Sequence, residues 1–203
     1  MDTKLPRWLT AGCLPAMALI AATIAPGASR PDDPPARAAD NFSPYVSKDG
    51  GISRTTDYRE TFLHLGTFAV ATKPNQPLDE MHNVYARPAD IRAYRRDGKF
   101  PDGSVLVREV TRVGSAKLTT GQSHWSTDMK LWFVMVKDSK GRFPGNALWG
   151  DGWGWDVFKA NEPARNVATD YETDCKTCHI PARKDDWVYV RGYPILGDRI
   201  PSR

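Results

Sequence analysis

Two cysteines and a histidine near the end of the 203-residue chain stand in the order Cys175-Lys176-Thr177-Cys178-His179. A C-x-x-C-H spacing sets both thiols one helical turn apart, within reach of the vinyl edge of a porphyrin, with an imidazole following at once. Thioether bonds from Cys175 and Cys178 would attach one haem c per chain, and His179 would be the proximal ligand of its iron. Zinc would need further thiols or imidazoles, and no second cysteine pair exists. A redox dithiol of the thioredoxin kind lacks the adjacent histidine. A disulfide between the two stays open in an oxidising compartment, yet haem attachment accounts better for both.

These groups need a scaffold. Asp57 is placed to cap a short helix from Tyr58, with Gly66 as its stop. Phe68 and Val70 favour a strand broken by Pro74 and Pro77, and Met81 to Ala86 resumes strand composition. Arg87-Pro88-Ala89-Asp90 opens a helix with proline in its first turn, Ile91 and Tyr94 facing the core and Gly98 ending it. Asp102-Gly103 is a turn before the β-rich run Ser104–Val110, and 114–121 reads as a polar connection. Leu131–Val136 is a strongly apolar strand, with Lys137–Gly141 as a hairpin loop back to Arg142-Phe143. Residues 144–156 read as a Gly/Trp loop before Val157 and Phe158 return to the sheet. Thr169-Asp170 can cap the haem-attachment helix, expected to run through His179 and stop before Pro181. Trp187–Val190 reads as extended. Five or six strands with three short helices, joined by turns rather than helical crossovers, predict an α+β, mainly β fold: an antiparallel sheet with short flanking helices.

The first 38 residues read as a secretory signal: Lys4 and Arg7, then an apolar run from Leu9 to Ile24, with Ala36-Arg37-Ala38 as the exit. Cleavage nearer Ala28 or Ser29, or a retained N-terminal anchor, stays open. Cys13 resembles a lipobox cysteine, but the apolar run mostly follows it. Residues 39–56 read as a flexible segment, 57–197 as the haem domain and 198–203 as a tail. Losing residues 1–38 removes four of 28 basic and three of 24 acidic residues, which leaves a balance of +3. That is too weak and too scattered for nucleic acid. The expected compartment is the periplasm, with no membrane association after cleavage.

The stretches Tyr58-Arg59-Glu60, Phe100–Glu109, Val136–Lys140, the C-x-x-C-H motif, and Asp186–Tyr189 through Tyr193–Leu196 resemble cytochrome P-460 and its relative cytochrome c′-β, in order and separation, from about Tyr58 to Leu196. The resemblance implies a homodimer with one haem per chain, His-only five-coordinate iron and an open distal pocket. The P-460 kind oxidises hydroxylamine and cross-links a lysine to the porphyrin; the c′-β kind binds gases such as nitric oxide beneath apolar side chains. The family stretch Asp-Gly-x-Val-x-Val-Lys-Glu reads here Asp102-Gly103-Ser104-Val105-Leu106-Val107-Arg108-Glu109. A guanidinium is too poor a nucleophile for that cross-link. Arg108 is either a donor to a haem propionate or an inter-strand charge. The P-460 kind also places a distal carboxylate near the strand that here reads Leu131–Val136, which has no acid. Phe133 is expected over the haem, on a wall lacking a base for hydroxylamine. These departures favour gas binding or a redox role with an unidentified soluble partner over hydroxylamine oxidation.

His64, His82 and His124 are candidate sixth ligands or distal bases, more simply surface or hydrogen-bonded residues. Among them His124 stands nearest the expected distal side. Met81, Met129 and Met135 are candidate axial ligands of a six-coordinate carrier, with Met135 better read as core. Trp149, Trp153 and Trp155 wall the haem, a dimer interface or a packed loop. Asp151 and Asp156 read as loop caps, and the basic residues of 87–99 as a solvated helix face.

Overall fold

The computed structural model describes residues 42–197. The expected signal, residues 39–41 and the tail lie outside them. Seven strands form one antiparallel sheet: β1 Leu63–Val70, β2 Glu80–Ala86, β3 Val105–Leu118, β4 Gly121–Lys137, β5 Trp149–Gly150, β6 Trp153–Lys159 and β7 Glu162–Asn166. Their order is β1-β2-β3-β4-β6-β5, with β7 also on β6. The expected mainly-β architecture is therefore the one found.

β3 is central because both its faces are covered. Leu106 joins Val84, Ala86, Met135, Trp153 and Trp155 in one core, while Val105 and Val107 join Val134, Val136 and Phe158 in another. Alternation along the strand assigns the faces, and β-branched residues suit the pleat. Glu109, on the second face, is buried yet accepts from Tyr58 Oη at 2.5 Å, Arg59 Nε at 2.9 Å, Asn83 at 3.0 Å and Tyr85 at 3.1 Å.

Helix α1 (Tyr58–Thr61) abuts the second core, and α2 (Pro88–Asp97) lays Ile91 and Tyr94 against the first. Gly98 ends α2 in the left-handed conformation at φ 71°, as its position foretold. Gly66, expected to stop α1, instead lies within β1. A Cβ there would stand 1.9 Å from the Gly192 carbonyl oxygen, so glycine lets β1 press against the C-terminal turns.

Four further expectations give way. The described part of the segment read as flexible is packed: Val46 and Ile52 form a bridge and are buried in the second core. Residues 114–121 are not a connection; β3 and β4 continue past the core as a long two-stranded arm, paired out to Leu118 and Gly121. Its polar composition reflects solvent on both sides. Arg142-Phe143 makes no return strand. Asp138 accepts from the Arg142 amide at 2.6 Å, and Phe143 packs against Trp149 in a tilted contact, ring centroids 4.3 Å apart. The Gly/Trp loop is itself sheet, because Asp151 (φ 52°) and Gly152 (φ 83°) form a tight turn between β5 and β6. These left-handed values are those of a two-residue hairpin.

Candidate haem site

The C-x-x-C-H residues lie on a helical run that changes pitch: a π turn Glu172–Lys176, then α3 (Thr177–His179), then a 3-10 turn Ile180–Asp185. π turns recur at functional sites. Asp170 caps the run, accepting from the Thr173 amide at 3.0 Å. Pro181 does not end it, because proline is tolerated in the first turn of the new 3-10 segment. The run ends at Asp186. Asp186 and Trp187 both have positive φ, 60° and 65°, and bulky residues adopt such angles only where the surroundings over-determine them.

Those surroundings are visible. Asp186 pairs with buried Lys137 Nζ at 2.5 Å, and its carbonyl accepts from Trp153 Nε1 at 3.0 Å. The bend aims the Trp187 carbonyl at His179, 2.8 Å from Nδ1. His179 Nδ1–H donates there, which fixes the tautomer and leaves the Nε2 lone pair for a metal. Burial, together with the charge of Arg108, holds the imidazole below its ordinary pKa and therefore neutral. Trp155 meets it edge-on, centroids 4.6 Å apart. Trp187–Val190, read as extended, is this bend followed by a 3-10 turn Val190–Gly192.

Cys175 is buried and Cys178 exposed, and both thiols are free. Burial, with Asp174 adding to it, pushes the Cys175 thiol up to about 11. That is the wrong direction for a redox dithiol, which needs a depressed thiol.

Both cysteines and His179 line a cavity of about 210 Å³. Its sheet wall is Val84, Leu106, Arg108, Phe133, Met135 and Trp155. Arg108 and Phe133, singled out in the sequence, are cross-strand partners here, the guanidinium carbon 4.0 Å from the ring centroid. Arg108 Nε is buried with no hydrogen-bond partner. Two thiols, a neutral imidazole with a free lone pair and an apolar wall fit a haem. Bound there, Cys175 and Cys178 would hold it and His179 would ligate its iron.

Asp156 is not a loop cap. It lies on β6 opposite Val134 and lines the cavity, so the site does have a carboxyl although Leu131–Val136 has none. Desolvation pushes that carboxyl up to about 7. Folding therefore retains a proton that the unfolded chain releases near its ordinary value of 3.8. The resulting stability is complete below that value and lost as pH climbs through about 7. Asp156→Asn should unfold later in urea than the parent by about 2–4 kcal/mol near pH 8, the gap closing towards pH 4.

Asp151, at the turn between β5 and β6, accepts from Tyr171 Oη at 2.6 Å and pairs with Lys176 Nζ at 3.3 Å. None of the other histidines lines the cavity. His64 bonds Thr67, His82 bonds Glu80, and His124 bonds Ser115 out on the arm rather than near a distal wall. Of the methionines weighed, only Met135 lines the cavity. Trp155 walls it, Trp153 is fully buried behind it, and Trp149 packs on the other face. The alternation Trp153-x-Trp155-x-Val157 is the signal for β6, hidden by Gly150, Gly152 and Gly154. Nothing in the sequence marks the Trp187 carbonyl.

A sheet face closed by a C-x-x-C-H helical run, over a cavity lined by both cysteines and His179, defines a haem-binding cytochrome of β architecture. The chain belongs to the cytochrome P460 family, whose model matches residues 55–190. No curated protein matches it significantly.

Proposed function

We propose that the chain is a periplasmic mono-haem c-type cytochrome that binds nitric oxide, or a similarly small nitrogen species, at five-coordinate iron. The arrangement that carries this reading is His179, kept neutral by burial and held in one tautomer by the Trp187 carbonyl, across a cavity from the apolar side chains Val84, Leu106, Phe133 and Met135. A haem bound there supplies a metal that exchanges electrons and accepts a diatomic. Cys175 and Cys178 anchor it, His179 ligates it from the helical side, and the apolar sheet wall admits neutral diatomics while excluding water. Arg108 in place of lysine supports gas binding over the cross-linked hydroxylamine chemistry. The reading includes a homodimer, supported by the arm, where Leu118 and Trp125 are exposed.

The purified ferrous protein should show a high-spin spectrum that changes on adding nitric oxide. A low-spin spectrum indifferent to the gas rejects the reading. Asp156 favours hydroxylamine oxidation as a second reading, because a carboxyl with a pKa near neutrality is suited to act as a base. Hydroxylamine-dependent reduction of an added acceptor, lost in Asp156→Asn, would establish it. Met135 at the cavity wall leaves a six-coordinate carrier as a third, read by magnetic circular dichroism.

A further inference from the structure

Arg108 and Glu109 are neighbours on β3 with opposite fates. Glu109, on one face, has its charge met by Tyr58, Arg59, Asn83 and Tyr85. Arg108, on the other, has an aromatic ring at 4.0 Å, an orphaned Nε, and no ion pair among the described residues. Glu80, whose field reaches it, is held by Lys130 and His82. Asp156 and Asp174 share the cavity but neither pairs with it, and Asp174 accepts from the Thr169 and Asp170 amides. A cation–π contact offsets little of what an unpaired buried cation costs. The folded chain thus carries, on the cavity wall, a positive charge that lacks a counter-ion among the described residues.

Two anions could meet it: a propionate of the porphyrin, or a ligand entering the cavity. Arg108 lines the same cavity as Cys175, Cys178 and His179, on the sheet wall that faces them. We propose that Arg108, braced on Phe133, makes the sheet wall an anion-receiving subsite, so that the site takes small singly charged anions of the nitrite and azide class as well as neutral diatomics. This rests on the haem reading above and deepens it. Val84, Leu106 and Met135 strip water from such an anion, which strengthens a charge-assisted hydrogen bond from the guanidinium.

The test is a spectroscopic titration of the ferric haem-loaded protein with azide, and of the ferrous protein with nitric oxide, in parent and Arg108→Gln. Haem content is read first as the pyridine haemochrome. Arg108→Gln should weaken azide binding about tenfold or more and leave nitric oxide binding within about twofold. Arg108→Met, which keeps an apolar stem, repeats the measurement if the glutamine variant fails to load haem. Unchanged azide affinity in a coloured variant overturns the anion subsite and leaves the haem reading standing. Equal weakening of azide and nitric oxide, with a shifted midpoint potential, also overturns it and assigns Arg108 to a propionate. A colourless parent protein overturns the haem reading itself, and the subsite with it.

Discussion

Replacing Cys175 and Cys178 together by alanine is expected to remove all covalently held haem. Each thiol would supply one thioether, and Cys175, the buried one, lies in the π turn against Trp155 and Tyr171 in the first core. Acid-acetone extraction followed by the pyridine haemochrome reads the result: colour stays with the parent polypeptide and leaves the variant completely. His179→Ala behaves differently. It keeps the haem on the chain and changes the spectrum, because the axial ligand is lost while both sulfur anchors remain. Haem that still resists extraction from the double variant would reject the attachment.

Asp186→Ala should destabilise the protein by about 3–5 kcal/mol, because it strands Lys137, which is nearly buried, without a counter-charge. Urea denaturation measures that loss. The substitution also removes the acceptor that receives the Phe100 amide at 3.4 Å and loosens a bend with positive φ at two successive residues. Because that bend presents the Trp187 carbonyl, the Asp186→Ala spectrum should shift as well as the stability. Adding Lys137→Met to Asp186→Ala, so that neither charge remains, should cost less in stability. A double variant that recovers stability but keeps the altered spectrum would separate the electrostatic role of the pair from its positioning role.

How much the sequence disclosed depended on whether a signal was local. C-x-x-C-H is local, and so is the strand composition of Ser104–Val110 and Leu131–Val136, which pair in the sheet within β3 and β4. Arg108 was legible because it departs at one position of a contiguous stretch. The arm was not, since residues 112–126 have solvent on both sides and therefore no apolar alternation to read. β6 was obscured because Gly150, Gly152 and Gly154 imitate a loop, although Gly150 serves a contact: a Cβ there would stand 2.2 Å from the Tyr171 ring. Asp156 could not be placed without knowing that β6, not residues 142–143, pairs with β4. A carboxyl in a supposed loop looks solvated, and only the strand register puts it beside the cavity.

Because the group that orients His179 belongs to the main chain, no replacement of the Trp187 side chain deletes the acceptor itself. Descendants of this chain keep the acceptor whatever side chain stands at that position, provided they keep the bend. A chain relying on a carboxylate there would be vulnerable to a single codon change, whereas this one spreads the vulnerability over Lys137, Trp153 and Asp186, the residues that shape the loop.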